Sequence, residues 1–296
     1  MPSRSRSDGG HCSMMRTIVF VLIAYGASWA LWYAASPHVS GTGRIALATV
    51  YMFGPLIGAL ATSALFDRGR RAEMIGWRWR MNLWWIVAWV AAPVLALGAA
   101  YLSTLAPGVE MQSIEEGARK AVIAAGQTPP DDLAQAIPTL PVLVALAMLG
   151  GIIPNAIAAF GEEAGWRGYL WSSVRGLGFW KASIIVGVIW GFWHAPLIMS
   201  GHNYGSGYFG FPWTGIAMMT AFCVALSPFM GFLRDRTGSS LPAAIFHGTV
   251  NAISGITVFL IAGADIWTMG LIGFPGLVLL VVLSIGVALL GPNTRA

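Results

Sequence analysis

The chain has 296 residues, of which 56% are apolar and only 10% charged, and its mean hydropathy is +0.69. This composition excludes a soluble globular domain of ordinary make-up and points to an all-α, polytopic membrane protein. The net charge of +5 arises from arginine-rich segments between apolar runs, which suit anionic lipid headgroups, so membrane lipids and not nucleic acid are the expected partner.

Stretches free of Asp, Glu, Lys and Arg run from Thr17 to Gly43, Ile45 to Phe66, Met81 to Val109, Leu133 to Gly161, Ala182 to Leu233, Thr237 to Ala264 and Ile266 to Thr294. A spanning helix needs about 20 apolar residues. The Ala182–Leu233 run is long enough for two and is divided by GHNYGSGYFGFP, whose glycines and Pro212 break a helix. About eight transmembrane helices follow.

The basic tail, residues 1–16, carries Arg4, Arg6 and Arg16. With that tail cytoplasmic, Arg68, Arg70, Arg71, Arg78, Arg80, Arg167, Arg175, Lys181, Arg234, Arg236 and Arg295 also fall inside, and Arg44, Arg119 and Lys120 fall outside. The bias predicts N-in and C-in termini in a cell membrane. The first apolar run is kept as a span, because removing it as a signal peptide would invert this pattern.

Residues 17–137 hold three spans and an outer loop. In that loop Glu110, Glu115, Glu116, Arg119 and Lys120 predict a short surface helix ahead of the TPPDD turn. Trp77, Trp79, Trp84, Trp85 and Trp89 read as an interfacial belt. Cys12 and Cys223 cannot build a disulfide framework. Residues 138–262 form the functional core and 263–296 the last span.

Three polar clusters lie in the second half of the chain. Glu162 and Glu163 stand side by side at the edge of an uncharged run, and i,i+4 spacing puts Glu163 and Arg167 on one helical face with Glu162 turned about 100° away. His194 follows Trp190 by one turn in WGFWHAPL, and His247 precedes Asn251 by one turn in FHGTVNA. Each has a structural explanation: an ion pair at the interface, a histidine packed on a backbone carbonyl, or interhelical hydrogen bonding. Together they supply a carboxylate, two imidazoles and a carboxamide, which suffice to activate water and stabilise an oxyanion in amide hydrolysis. The same Glu162, His194 and His247 would also make a zinc set, although no HExxH is present, so the residues leave the metal open. Relay groups of a proton-coupled transporter are a further use, against which no inverted repeat is evident.

Depth poses a problem. His247 lies about six residues, or ~9 Å, into its helix, whereas His194 lies ~20 Å past Lys181. A late helix start beyond Lys181, a tilt, or distortion near Gly191 and Pro196 would reconcile them.

The ordered set EEAGWRGYL, WGFWHAPL and FHGTVNA resembles the CPBP family of intramembrane proteases, over roughly Val142 to Ala262. That family includes the type II CAAX prenyl endopeptidases and bacterial Abi or bacteriocin-immunity proteins. The resemblance implies a hydrolase acting on a peptide or protein with a membrane-proximal segment, its site facing the cytoplasm. It implies Glu162 as general base, His194 as its partner on the water, His247 with Asn251 as the oxyanion pair, and Glu163 and Arg167 in support. Both a glutamate mechanism and a metalloprotease, with zinc possible, are described for the group. The reading adopted needs no cofactor; a non-catalytic immunity protein is the alternative. One departure is Trp190, where the family usually has Phe, and it is expected to alter the substrate groove.

Overall fold

A computed structural model of the chain describes residues 6–292, with side chains from residue 14 onward. Arg4 and Arg295, and the side chains of Arg6 and Cys12, lie outside the described residues. Among the described residues seven helical segments are long and apolar enough to cross a membrane: Met14–His38, Gly41–Phe66, Leu83–Ser103, Leu140–Leu177, Phe179–Met199, Trp213–Thr237 and Leu241–Leu260. An eighth apolar helix, Phe274–Leu289, is shorter at 16 residues. It covers about 24 Å at 1.5 Å per residue, somewhat less than a hydrocarbon core of about 30 Å.

The connections follow their sequence signals. Asn82 caps the third span by accepting from the Trp84 N–H at 3.1 Å. The second span breaks after Tyr51 and restarts at Gly54 with Pro55 in its first turn. The segment 200–212 is non-helical, as GHNYGSGYFGFP requires. The loop before the fourth span folds as a short helix, Ile114–Ala124, capped by Ser113 and bearing the i,i+4 pairs Glu115–Arg119 and Glu116–Lys120. A two-residue antiparallel pairing of Glu110–Met111 with Ile261–Ala262 ties this loop to the end of the seventh span. Cys223 is a free, buried thiol in the sixth span.

The fourth span departs most from the sequence reading. The uncharged run ends at Gly161, yet the helix continues through both glutamates and Arg167 to Leu177. Its 38 residues would reach about 57 Å if straight, roughly twice a hydrocarbon core. It is instead bent, at Ile153 (φ −146°, ψ 120°) ahead of Pro154, and it widens into a π-helical turn over Ala164–Leu170. Glu162 and Glu163 therefore lie well inside the helix, 2% and 0% exposed, and not at its edge.

One end of the bundle is closed by ion pairs. Arg16 Nη1 meets Asp67 Oδ1 at 2.8 Å, and Asp67 also accepts from the Tyr169 hydroxyl at 3.2 Å. Asp235 accepts from Trp171 Nε1 and from Arg175 Nε, both at 2.8 Å. At the same end Trp77 and Trp79 are largely exposed, as an anchoring belt requires.

These contacts also account for the depths of the histidines. The fifth span starts at Phe179, before Lys181, so no late start separates His194 from that end. The seventh span starts below the protein surface. Ser239 and Ser240 at its head are fully buried, and Gly76 covers them by accepting from the Ser240 N–H at 2.9 Å and the Ser239 hydroxyl at 3.2 Å.

Candidate active site

Helical periodicity sends the two adjacent glutamates to different partners. Glu163 lies on the Arg167 face, and Arg167 Nη1 is 3.2 Å from each of its oxygens, with both side chains fully buried. The other arm of the guanidinium fork, Nη2, donates to Ser227 Oγ of the sixth span at 3.0 Å. The guanidinium carbon sits 4.3 Å from the centre of the Trp190 ring. Burial of this cation is thus matched by a carboxylate, a hydroxyl and a π face.

Glu162 faces the fifth span. Its Oε2 accepts from Trp190 Nε1 at 2.7 Å and from Trp166 Nε1, one turn along its own helix, at 3.3 Å. Beside Trp190 the fifth and sixth spans approach closely, since a Cβ on Gly191 would lie 2.4 Å from Thr220 Cα.

His194 ends the main helix of that span, directly before Ala195 and Pro196. Its Nδ1 is 2.9 Å from the Trp190 carbonyl, and since a carbonyl only accepts, Nδ1 carries the proton and Nε2 is left for another partner. The helix break frees the Trp193 carbonyl, and the first two spans donate to it and to the Ile189 carbonyl one turn earlier. Tyr51 Oη and Trp29 Nε1 donate to the Trp193 carbonyl at 2.6 and 3.0 Å, and Tyr25 Oη donates to the Ile189 carbonyl.

The seventh span brings His247 to the pair on the fourth. His247 Nδ1 is 2.9 Å from Glu163 Oε1, which fixes the donor at Nδ1 and leaves Nε2 unbonded. Close backbone contact makes this possible, since a Cβ on Gly248 would lie 2.5 Å from the Ala156 backbone nitrogen. The His247 ring also meets Trp190 edge-on, with centroids 5.4 Å apart.

Five of the six sequence-derived residues are thereby linked. Glu163, Arg167 and His247 make one ion-paired group, Glu162 joins it through Trp190, and His194 joins through the Trp190 carbonyl. Asn251 stands apart: it is exposed, one turn beyond the buried His247. Trp166, Ser227, Tyr51 and Trp29 were not singled out for the site, and only Trp166, at i+4 from Glu162, carried a local signal. The Trp190 N–H on Glu162 joins residues 28 apart and has no sequence signature, so the sequence points Trp190 only to the groove.

Among the described residues no three His, Cys, Asp or Glu side chains converge as a metal-holding group. Both histidines have Nδ1 engaged and Nε2 open, and Glu162 has Oε1 open, an arrangement that serves a water-activating set and a set of metal ligands alike.

Residues 142–253, which contain all of these groups except those of the first two spans, match the family described as Rce1-like, type II CAAX prenyl endopeptidase. The match supports the resemblance of this segment to the CPBP family. A curated relative, "CAAX prenyl protease 2" of Methanococcus maripaludis, is 36% identical over 103 residues, which are 32% of this chain and 36% of the relative. The chain thus spans about a third of the length of the curated relative it matches.

Proposed function

We propose that this chain is an intramembrane endopeptidase of the CPBP type that hydrolyses a peptide bond near the cytoplasmic membrane face with water activated by Glu162. The observation that carries the reading is the placement of Glu162: a carboxylate 2% exposed, held on one oxygen by Trp190 and Trp166, beside the His247–Glu163–Arg167 group. In the proposed step Glu162 accepts a proton from water as the oxygen adds to the scissile carbonyl carbon. His194, protonated on Nδ1, offers its Nε2 lone pair to the same water. His247 donates from Nε2 to the developing oxyanion, which requires both its nitrogens protonated, and the Glu163 carboxylate is the counter-charge for that state. Asn251, exposed one turn further along the seventh span, supplies a second donor once substrate is present. The proton on Glu162 then passes to the leaving amine, which completes the hydrolysis.

The proposed mechanism needs no metal, since Glu162, His194, His247 and Asn251 supply the base, its partner on the water and the oxyanion donors from the chain itself. Substrates are peptides or proteins with a membrane-proximal segment, and the relative's name places C-terminal prenylated sequences first among those to test. The arginine distribution supports N-in and C-in termini, with a basic face against anionic lipid.

The decisive experiment reconstitutes purified wild-type and Glu162→Gln protein in proteoliposomes with a peptide library that includes prenylated members. The amide is nearly isosteric and cannot accept the proton, so turnover should fall by at least ~10²-fold. Undiminished turnover in folded Glu162→Gln protein would move the base elsewhere, and a wild type without turnover would favour a binding or immunity role.

A further inference from the structure

Trp190 touches four of the five titratable or charged members of the site and leaves the fifth, Glu163, to Arg167 and His247. Its N–H donates to Glu162, its ring face lies over Arg167, its edge meets His247, and its carbonyl receives the His194 Nδ1–H. The side chain is 2% exposed, so water does not serve its N–H in place of Glu162. Trp166, fully buried, donates from a different helix to the same carboxylate oxygen.

Both bonds land on Oε2, and among the described residues no donor reaches Oε1. The last torsion of a glutamate is broad and roughly two-fold, so a carboxylate without fixed partners exchanges its oxygens and samples a wide range of planes. Two N–H groups arriving from two helices onto one oxygen remove that freedom. They sort the oxygens into one that is held and one that is offered. A phenylalanine ring at 190 would fill much of the same space and keep the contact with Arg167, but it has no donor.

Resting on the endopeptidase reading, we propose that Trp190 is a positioning residue: with Trp166 it engages Oε2 of Glu162 and reserves Oε1 as the oxygen that takes the proton from water. The role differs from shaping a substrate groove, because it acts on the orientation of the base and so on the chemical step. Trp166, at 3.3 Å against 2.7 Å, contributes the weaker hold.

The test uses the full chain in proteoliposomes with wild type, Trp190→Phe, Trp166→Phe and Glu162→Gln. Loss of a hydrogen bond to a charged group predicts that Trp190→Phe lowers kcat by about tenfold or more, with KM changed by less than about twofold. Trp166→Phe should show the same split with a smaller loss. A readout independent of turnover comes from ultraviolet resonance Raman of the indole N–H marker band. The difference between wild type and Trp190→Phe isolates Trp190 and should report a strong hydrogen bond, and the same difference taken in the Glu162→Gln background should shift towards a weaker one. Unchanged kcat in an active Trp190→Phe protein, or a Trp190 marker indifferent to Glu162→Gln, overturns the assignment. If wild type cleaves no peptide, the endopeptidase reading fails, while the Raman differences still decide whether Trp190 holds Glu162. Should Trp190→Phe fail to fold, benzothienylalanine at 190, which keeps the bicyclic shape and replaces N–H by sulfur, takes its place.

Discussion

Replacing Arg167 with lysine conserves charge and yet should be damaging. The guanidinium makes three contacts at once: Nη1 to Glu163 at 3.2 Å, Nη2 to Ser227 at 3.0 Å, and its carbon over the Trp190 ring, 4.3 Å from the centroid. A lysine ammonium is a single point, and in reaching Glu163 it gives up the other two. Ser227 is 1% exposed, so its hydroxyl would lose a buried partner, and the loss of that bond and the ring contact together comes to about 2–4 kcal/mol. For a chain of this size the unfolding midpoint should fall by roughly 5–10 °C. Thermal unfolding in lipid nanodiscs measures this, and peptide turnover should fall in parallel because the Trp190 ring that donates to Glu162 loses the guanidinium it packs on. The backbone contact from Arg234 Nε to the Arg167 carbonyl survives the substitution, so a global collapse is not expected. An Arg167→Lys protein that melts and turns over like wild type would refute the fork-and-ring argument outright.

Glu163→Gln leaves Arg167 buried without a counter-charge and should cost about 3–5 kcal/mol, read as a loss of folded yield and of unfolding midpoint larger than that of Glu162→Gln. Gly248→Ala places a methyl 2.5 Å from the Ala156 backbone nitrogen; the seventh span must move off the fourth, at a cost of about 1–3 kcal/mol, and the His247 imidazole resonance should lose its hydrogen-bonded shift. Chelation is expected to leave activity intact, with elemental analysis finding well under one metal per chain, whereas inactivation reversed by added Zn²⁺ would replace the metal-free mechanism with one in which His194 and His247 bind through Nε2.

The spans were legible because runs such as Met81–Val109 and Thr237–Ala264 carry no charge over a membrane's thickness, and the break at 200–212 because glycine and proline have local meanings. The fourth span was read short at Gly161 for a physical reason. Hydropathy treats Glu163 and Arg167 as two charges, whereas in the fold they are one neutralised pair, and a helix passes through such a pair without leaving the bundle. Spacing also gave the Glu163–Arg167 contact, since i,i+4 is a property of one helix. Contacts between helices left no such trace: neither Trp190 on Glu162 nor His247 on Glu163 follows from periodicity, because each joins different spans, the second where Gly248 lets the backbones close. Asn251 was placed with His247 by the same i,i+4 argument, which fixes azimuth around the helix but not which side chain the neighbouring spans cover.

The carbonyls at the end of the fifth span bear on how this segment can be inherited or engineered. Residues 142–253 carry the family match, but the Trp193 and Ile189 carbonyls are satisfied by Tyr51, Trp29 and Tyr25, which lie outside it. The matched segment is therefore not a self-sufficient cassette. A chimera that grafted it onto unrelated leading helices would strand acceptors in an apolar medium at the residue before His194, so a working transplant has to bring a tyrosine and a tryptophan from its first two helices along with it.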